Sequence, residues 1–308
     1  MKQKSSTPTK RNRRGSSARR RIILALVPVL LLAILGVWWF GLRSEPRPNI
    51  VFISLESVRA DHLGAYGYDR PTSPTLDALA REGVIYEDAH AVTSWTLTAH
   101  ASMFTGLYPG AHQVTGPFDR LDDSYTTVAE ALSAQGYQCA GVISGPYLKK
   151  AHNLAQGFSH YNESASALSQ TLGHSRTNSA DVEAGLRHFI DRLRDPRRPF
   201  FLFAYFWDPH YDYIPPSPFN RMFVTDDCEP VDVTDYETSS KVSAQCTPGE
   251  LAYVRSQYDG EIRWTAPHLE RFFQWLTATD LWDDTVIIVT ADHGEEFFEH
   301  DGKGHKNN

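Results

Sequence analysis

The stretch PNIVFISLES, residues 48–57, combines a short apolar run with two polar side chains at its end. Its length and continuous hydrophobicity predict a strand that is buried on both faces, as strands of parallel sheets are. Similar runs recur at 199–207 and 285–290, and segments with helical character lie between the runs, at 74–82, 96–105, 126–135, 181–193 and 249–279. This alternation predicts an α/β fold, a three-layer α/β/α arrangement around a mostly parallel central sheet.

Finer expectations concern particular segments. Val84 to Tyr86 resembles a strand, and a second strand is expected after the helix stop at Gly136, through Ser144. The helix at 249–279 should break near Pro267, since proline removes a backbone donor and clashes with the preceding turn. Residues 221–245 form a polar insert without a clear period. We expect the chain to be a fragment, truncated at its C-terminus, because no closing element follows residue 305.

Charge is distributed unevenly along the chain. Residues 1–21 carry nine of the 30 lysines and arginines and no acid, so the remaining residues hold 21 bases and 37 acids, a formal charge of −16. An acidic domain is a poor nucleic-acid binder, because phosphate binding depends on clustered bases. We therefore exclude nucleic acid as a partner.

Residues 22–42 form an uncharged apolar run, long enough to span the hydrocarbon core as a helix. The preceding bases place the N-terminus in the cytoplasm. A cleaved signal peptide is the alternative, but the run ends in bulky aromatics rather than small residues. We thus predict a basic cytoplasmic tail (1–21), one transmembrane helix (22–42) and an extracytoplasmic catalytic domain (43–308), located on the outer side of the cytoplasmic membrane.

The three cysteines give limited information. Cys139 opens an apolar run and is expected to be a buried thiol, whereas Cys228 and Cys246 bracket the polar insert. In an oxidising compartment these two are compatible with a disulfide, and the sequence leaves their pairing open. The absence of a C-x-x-C pair in the sequence argues against a zinc site built from thiolates.

Candidate functional residues lie where predicted strands end. Glu56 follows the first strand, Asp292 and His293 follow the last, and Thr96 stands at the start of a helix. Ligands bind beyond the carboxyl ends of parallel strands, and two carboxylates with an imidazole are suitable for a divalent metal. A hydroxyl at a helix N-terminus, next to a metal, is a suitable nucleophile.

Each of these residues also has a simpler explanation. A threonine before a helix is usually an N-cap, Asp-His-Gly is usually a turn, and a glutamate at a strand end is often just solvated. Their coincidence at the ends of separate strands favours the functional interpretation.

Five ordered blocks resemble the sulfatases and their relatives in the alkaline phosphatase superfamily. They begin at Pro48 (PNIVFISLESVRADHLGAYGYDRPTSPTLDALAREGVIYEDAHA), Thr96 (TLTAHASMFTGLYP), Phe203 (FAYFWDPHYDYIPP), Tyr258 (YDGEIRW) and Val286 (VIIVTADHGEEFFEHDGKGH). The resemblance covers about residues 48–308. It implies the fold predicted above and the hydrolysis of an anionic ester with a bound metal.

The resemblance also implies roles for individual residues. Glu56, Asp292 and His293 match metal ligands, and Thr96 matches the nucleophile and touches the same metal. His210 and His305 match positions that contact the transferred group and have catalytic roles. We assign substrate binding to His100, His210 and Lys303. The metal is one divalent ion, and manganese, zinc, magnesium and calcium all remain open.

Departures from the sulfatase pattern refine this assignment. Sulfatases have a cysteine in a Cys-x-Pro-x-Arg block and oxidise it to formylglycine, whereas this chain has Thr96, Thr98 and His100 at those positions. Formylglycine is therefore not expected. Glu56 with a threonine nucleophile is instead similar to lipoteichoic acid synthases and phosphoethanolamine transferases. We predict a membrane-anchored hydrolase of a phosphate ester, or else of a sulfate ester.

Two alternatives stay open at this point. The first is a transferase that moves a phospho-headgroup onto a cell-envelope glycan or lipid. The second is a non-catalytic protein that binds anionic glycans.

Overall fold

A computed structural model describes residues 47–166, 178–210, 212–233, 242–300 and 302–305, together with Leu26, Pro28 and Leu32. Apart from those three positions, the predicted transmembrane helix at 22–42 and the basic tail lie outside the described residues. Among the residues that are described, no helix is both long and apolar enough to cross a membrane.

In the described part of the chain, five parallel strands form the central sheet, and their parallel pairing is as the sequence predicts. They are β1 (Asn49–Leu55), β2 (Gln138–Ile143), β3 (His160–Asn162), β4 (Phe200–Phe206) and β5 (Thr285–Ala291), in the spatial order β3-β2-β4-β1-β5. Strand β4 lies in the middle of the sheet and is buried along its whole length, which explains its unbroken run of apolar residues. A short antiparallel pair follows, β6 (Glu296–Phe297) with β7 (Lys303–Gly304).

Helices cover both faces of the sheet. They are α1 (Pro74–Glu82), α2 (Thr96–Thr105), α3 (Pro109–His112), α4 (Val128–Ala134), α5 (Ser179–His188, continued by a π-helical turn at Phe189–Leu193), α6 (Phe219–Met222) and α7 (Pro248–Ala278). Val51, Ile53 and Leu55 belong to one hydrophobic cluster with side chains of α5 and α7. The alternate residues Ile50 and Phe52 face a second cluster, which contains side chains of α2 and α4. The predicted three-layer arrangement is therefore confirmed.

Two local predictions are wrong. Val84 to Tyr86 are not in a strand, and Val84 is 83% exposed, because no neighbouring strand in the described chain pairs with this segment. Helix α7 runs through Pro267 without ending. Its buried face carries Ile262, Ala266 and Leu269, so burial of the helix outweighs the loss of one backbone hydrogen bond.

The cysteines are all free thiols. Cys139 is buried in β2, as expected, and burial raises the pKa of its thiol to about 11. Cys228 and Cys246 are partly exposed and are not joined to each other.

Candidate active site

The register of the sheet brings two carboxylates together. Leu55 pairs with Phe206 on one side and with Ala291 on the other. The pairing continues for one more residue, because Glu56 N donates to Phe206 O at 2.9 Å and Asp292 N donates to Leu55 O at 3.3 Å. Glu56 and Asp292 therefore leave adjacent strands at the same level of the carboxyl edge.

Ser57 links these two carboxylates. Its backbone amide donates to Asp292 Oδ1 at 3.0 Å, and its hydroxyl donates to Glu56 Oε1 at 2.6 Å. The residue adopts a left-handed backbone with φ of 53°, which costs on the order of 1–2 kcal/mol for a residue with a Cβ. The two hydrogen bonds to carboxylates are strong enough to offset that cost. Ser57 was not among the site residues predicted from the sequence.

Thr96 is the first residue of α2, and the N-cap position is occupied by Trp95. The Thr96 side chain is therefore not a cap, which removes the simpler explanation for this residue. Its Oγ1 lies 3.2 Å from Glu56 Oε2 and 3.3 Å from His293 Nε2. The positive end of the helix dipole favours negative charge on this oxygen and on an anionic ester beside it.

His293 is oriented as a metal ligand. Its Nδ1 lies 3.0 Å from the carbonyl oxygen of Gly294, so Nδ1 carries the proton and the Nε2 lone pair is available. Nε2 lies 3.4 Å from Glu56 Oε1 and 3.5 Å from Asp292 Oδ2. Ligand atoms of Glu56, Asp292 and His293 all lie within 4.8 Å of one another.

A divalent metal fits this group. Asp292 Oδ2 is buried and accepts no hydrogen bond from any residue that the structure describes. An unpaired buried carboxylate oxygen is costly unless a cation lies beside it. Two carboxylates and one imidazole are donors that zinc and manganese accept.

Tyr205 is a site residue that sequence reasoning missed. It lies in β4 opposite Ser54 of β1, and its hydroxyl donates to Glu56 Oε2. Burial, and then the charge of Glu56, raise the pKa of Tyr205 well above its usual value, so the phenol stays a neutral donor. The only signal in the sequence was one hydroxyl within an otherwise apolar strand.

His210 and His305 lie on another side of Glu56. His305 Nε2 is 3.9 Å from Glu56 Oε1, while His305 Nδ1 is 3.2 Å from Glu295 Oε1. Burial alone lowers the pKa of His305, but the neighbouring carboxylates, led by Glu295, raise it to about 9. The His210 ring stacks on Trp207 with a centroid distance of 3.9 Å and lies 5.3 Å from the His305 ring.

Helix α7 supports two of the loops that form the site. Tyr258 donates to Ser57 O at 2.7 Å and accepts from Arg59 N at 2.8 Å. One turn later, Glu261 accepts from His210 N at 3.1 Å and from Ile214 N at 2.7 Å. Burial and the charge of Asp208 raise the pKa of Glu261 well above its usual value. Neither helix residue was predicted as part of the site.

Two predicted substrate contacts differ in their accessibility. His100 is fully buried, with Nδ1 2.8 Å from Thr96 O and Nε2 2.9 Å from Ser54 Oγ, and burial lowers its pKa to about 4. A substrate would have to displace one of these bonds to reach its ring. Lys303 is half-buried in β7, and burial lowers its pKa to about 8, against the opposing charges of Glu295 and Asp212.

Known proteins with similar sequences belong to the family that the five sequence blocks indicate. A family model described as Sulfatase matches residues 48–308. An arylsulfatase of Clostridium perfringens is 27% identical, over 82% of this chain and 64% of that protein. The multifunctional alkaline phosphatase superfamily protein PehA of Trinickia caryophylli is 24% identical, also over 82% and 64%. The chain thus spans less than two thirds of the length of these relatives.

A solved structure shares the fold. The phosphonate monoester hydrolase of Agrobacterium radiobacter superposes with a TM-score of 0.69 at 24% identity, covering 84% of this chain and 65% of that protein. This likeness confirms the predicted α/β architecture with its mostly parallel sheet.

Proposed function

Because this chain belongs to the sulfatase family, we propose that it hydrolyses an anionic ester, a phosphate ester in preference to a sulfate ester, through Thr96. The observation that carries the proposal is the convergence of the Thr96 hydroxyl with Glu56, Asp292 and His293 in one buried group. A hydroxyl, two carboxylates and an imidazole at a helix N-terminus form an arrangement suited to attack on an anionic centre.

Glu56, Asp292 and His293 would hold the metal, with Thr96 Oγ1 beside it. A divalent ion bound there supplies a Lewis acid that lowers the pKa of an adjacent hydroxyl and offsets the charge of the ester. Tyr205 and Ser57 hold the Glu56 carboxylate in place through their hydroxyls, and the Gly294 carbonyl fixes the tautomer of His293.

The reaction proceeds in two displacements. The Thr96 hydroxyl gives its proton to a water molecule and its Oγ1 attacks the phosphorus. The Thr96 Oγ1–P bond forms while the P–O bond to the alcohol breaks, and the departing alcohol oxygen takes that proton back from the water. A second water then attacks the phosphothreonine, releases phosphate and restores Thr96. His210 and His305, which lie beside Glu56, would hold the oxygens of the transferred group.

A substrate comparison tests the proposal. The protein is loaded with manganese or zinc and offered an aryl phosphate monoester, an aryl phosphodiester and an aryl sulfate, with Thr96→Ala as the blank. We expect Thr96-dependent phosphoester cleavage and little sulfate cleavage. Dominant sulfate cleavage would reverse the substrate assignment. Turnover that appears only when an alcohol acceptor is added would favour the transferase, and metal-loaded protein without any turnover would favour the glycan-binding alternative.

Membrane anchoring by residues 22–42 is also part of the proposal. Its support is the uncharged apolar run that follows nine basic residues. The substrate would then be an ester of the cell envelope, carried by a glycan or a lipid. Alkaline extraction of membranes is the test, since a peripheral protein is released into the supernatant and an anchored one is retained. Release would contradict the anchor.

A further inference from the structure

We propose that Trp95 and Tyr147 form a stacking subsite for the sugar ring of a phosphorylated glycan, beside the buried group that contains Thr96. This subsite rests on the proposed function, in which Thr96 attacks the phosphorus of an ester. It would hold the organic part of that ester, the sugar from which phosphate is removed, and so narrows the class of substrate.

Aromatic rings form a continuous row at the carboxyl edge of the sheet. The ring centroids of Trp95 and Tyr147 are 4.7 Å apart, those of Tyr147 and Trp207 are 6.4 Å apart, and those of Trp207 and His210 are 3.9 Å apart. The rings come from three separate segments, which are the residue before α2, the loop after β2 and the loop after β4. The row is therefore assembled by the fold at the edge where parallel sheets bind their ligands.

The row runs alongside the reacting atoms. One end adjoins the candidate nucleophile, because Trp95 directly precedes Thr96. The other end is His210, which has a ring nitrogen within 4.8 Å of a Glu56 oxygen. Thr96 Oγ1 lies 3.2 Å from the same Glu56 carboxylate. A phosphorus held between Thr96 and His210 thus has the row, with Tyr147 near its middle, along one side.

The loop that carries Tyr147 is fitted closely to this arrangement. Gly145 has a φ of 80°, and a Cβ at this position would overlap the Trp207 ring. The Ser144 hydroxyl accepts from Trp207 N at 2.9 Å and donates to Tyr205 O at 3.0 Å. These contacts fix the loop after β2 against β4, so Tyr147 has a defined position next to Trp207.

Exposure separates the two subsite rings from the core. Trp207 is 3% exposed and belongs to a hydrophobic cluster, whereas Trp95 and Tyr147 are only partly buried and pack against that cluster from outside. Partly exposed tryptophan and tyrosine rings suit a ligand that is apolar on one side and hydrated on the other. A sugar ring has this character, with C–H groups on its face and hydroxyls at its rim. An aryl group without polar substituents would instead favour an enclosed apolar pocket.

Cleavage of three phosphate esters tests the subsite. The full chain, loaded with manganese, is offered glucose 6-phosphate, benzyl phosphate and the open-chain glycerol phosphate. All three leaving groups are primary alcohols, so a change in the ratio of their kcat/KM values between variants reports on contacts to the organic part. The variants are Tyr147→Leu and Trp95→Leu, with Tyr147→Phe to keep the ring. Tyr108→Leu is the matched control, because Tyr108 is 74% exposed and follows the far end of α2.

We expect the ratio of glucose 6-phosphate to glycerol phosphate cleavage to fall roughly fivefold in each leucine variant at the subsite, the usual contribution of one ring contact. Tyr147→Phe should restore most of the ratio, and Tyr108→Leu should match the wild type. An unchanged ratio in both Tyr147→Leu and Trp95→Leu would overturn the inference. A fall confined to benzyl phosphate would overturn the assignment to a sugar and favour an aryl ring.

Binding without turnover separates this subsite from the proposed function. Intrinsic tryptophan fluorescence of Thr96→Ala is titrated with glucose 6-phosphate, and the same titration is made after Tyr147→Leu is added. Circular dichroism checks that each variant is folded. Weaker binding in the double variant, with none of the esters cleaved by the wild type, would support the subsite and contradict the proposed function. Thr96-dependent cleavage with equal binding in the single and double variants would contradict the subsite alone.

Discussion

The amide of Asp292 donates a hydrogen bond to the carbonyl of Leu55 at 3.3 Å, and this single bond sets Asp292 beside Glu56. The two carboxylates are far apart in the chain, so they meet only when β1 and β5 are paired. The candidate metal group thus exists in the folded protein and not in the unfolded chain. Metal binding and folding should be coupled as a result.

Removing the metal should lower thermal stability. Binding to the folded state alone stabilises it by about 2.7 kcal/mol when the free ion is at 100 times its dissociation constant. We expect the melting temperature to fall in a chelator and to recover on addition of manganese, measured by scanning calorimetry. Glu56→Gln is the comparison, and its melting temperature should respond much less to manganese. An equal response in the two proteins would argue against Glu56 as a ligand.

Thr96→Ala should abolish turnover while leaving the fold intact. Loss of a nucleophile removes the covalent route, so we expect kcat to fall by roughly 10³-fold or more. Thr96→Ser keeps the hydroxyl and should retain part of the activity. The control is Thr105→Ala in the same helix. Among the described residues, Thr105 Oγ1 donates to the Ala101 carbonyl and accepts from Leu107 N, both at the far end of α2. Comparable activity of Thr96→Ala and Thr105→Ala would exclude the proposed nucleophile.

Tyr205→Phe should destabilise the protein more than an ordinary tyrosine replacement. The Tyr205 hydroxyl bonds to the Glu56 carboxylate, and hydrogen bonds to charged groups contribute about 1.5–3 kcal/mol. Tyr161→Phe is the matched control, since Tyr161 donates to the neutral carbonyl of Leu148, a bond that contributes about 0.5–1.5 kcal/mol. Urea unfolding measures both losses. Equal losses in the free energy of unfolding would mean that the bond from Tyr205 to Glu56 contributes no more than a bond to a neutral carbonyl.

Stability should fall as pH decreases below neutrality, in part through His112. Burial lowers the pKa of this histidine, and its Nδ1 accepts the Val114 amide while Nε2 bonds Ser102 Oγ. The folded state therefore binds fewer protons at His112 than the unfolded state does. Its contribution is fully present above the unfolded pKa of about 6.5 and is lost as pH falls towards the lowered value.

Denaturant midpoints between pH 7.5 and pH 5 test this assignment. His112→Asn keeps an acceptor for the Val114 amide but cannot titrate, so its stability should decline less steeply over this range. His300→Asn, at an exposed position, should follow the wild type. A parallel decline in all three proteins would remove His112 as a cause.

The sequence predicted those parts of the molecule that depend on local signals. Pro74 and Gly83 bound α1, and Gly106 ends α2 in a left-handed conformation, so these helices begin and end where expected. The strand predicted at Val84 to Tyr86 does not form, because strand-forming residues make a strand only when a neighbouring strand pairs with them.

The sequence predicted the candidate metal ligands that the structure brings together, but not the residues that hold them in place. Glu56, Thr96, Asp292 and His293 stand at element ends, and the carboxyl edge of a parallel sheet brings such positions together. Tyr205 and Glu261 act through strand register and packing over long distances in the chain, which composition and spacing do not specify.

Helix α7 couples the stability of the two loops of the site. Tyr258 holds the segment after β1, and Glu261 and then Thr265, which lies 3.4 Å from Asp208 O, hold the segment after β4, all from successive turns of one face. Neither loop can loosen while that face stays in register, and both lose their supports when it frays. In hydrogen-exchange terms, the two loops and α7 form one cooperative opening unit. The positions of the site side chains thus depend on the stability of a single helix, although that helix contributes no candidate metal ligand.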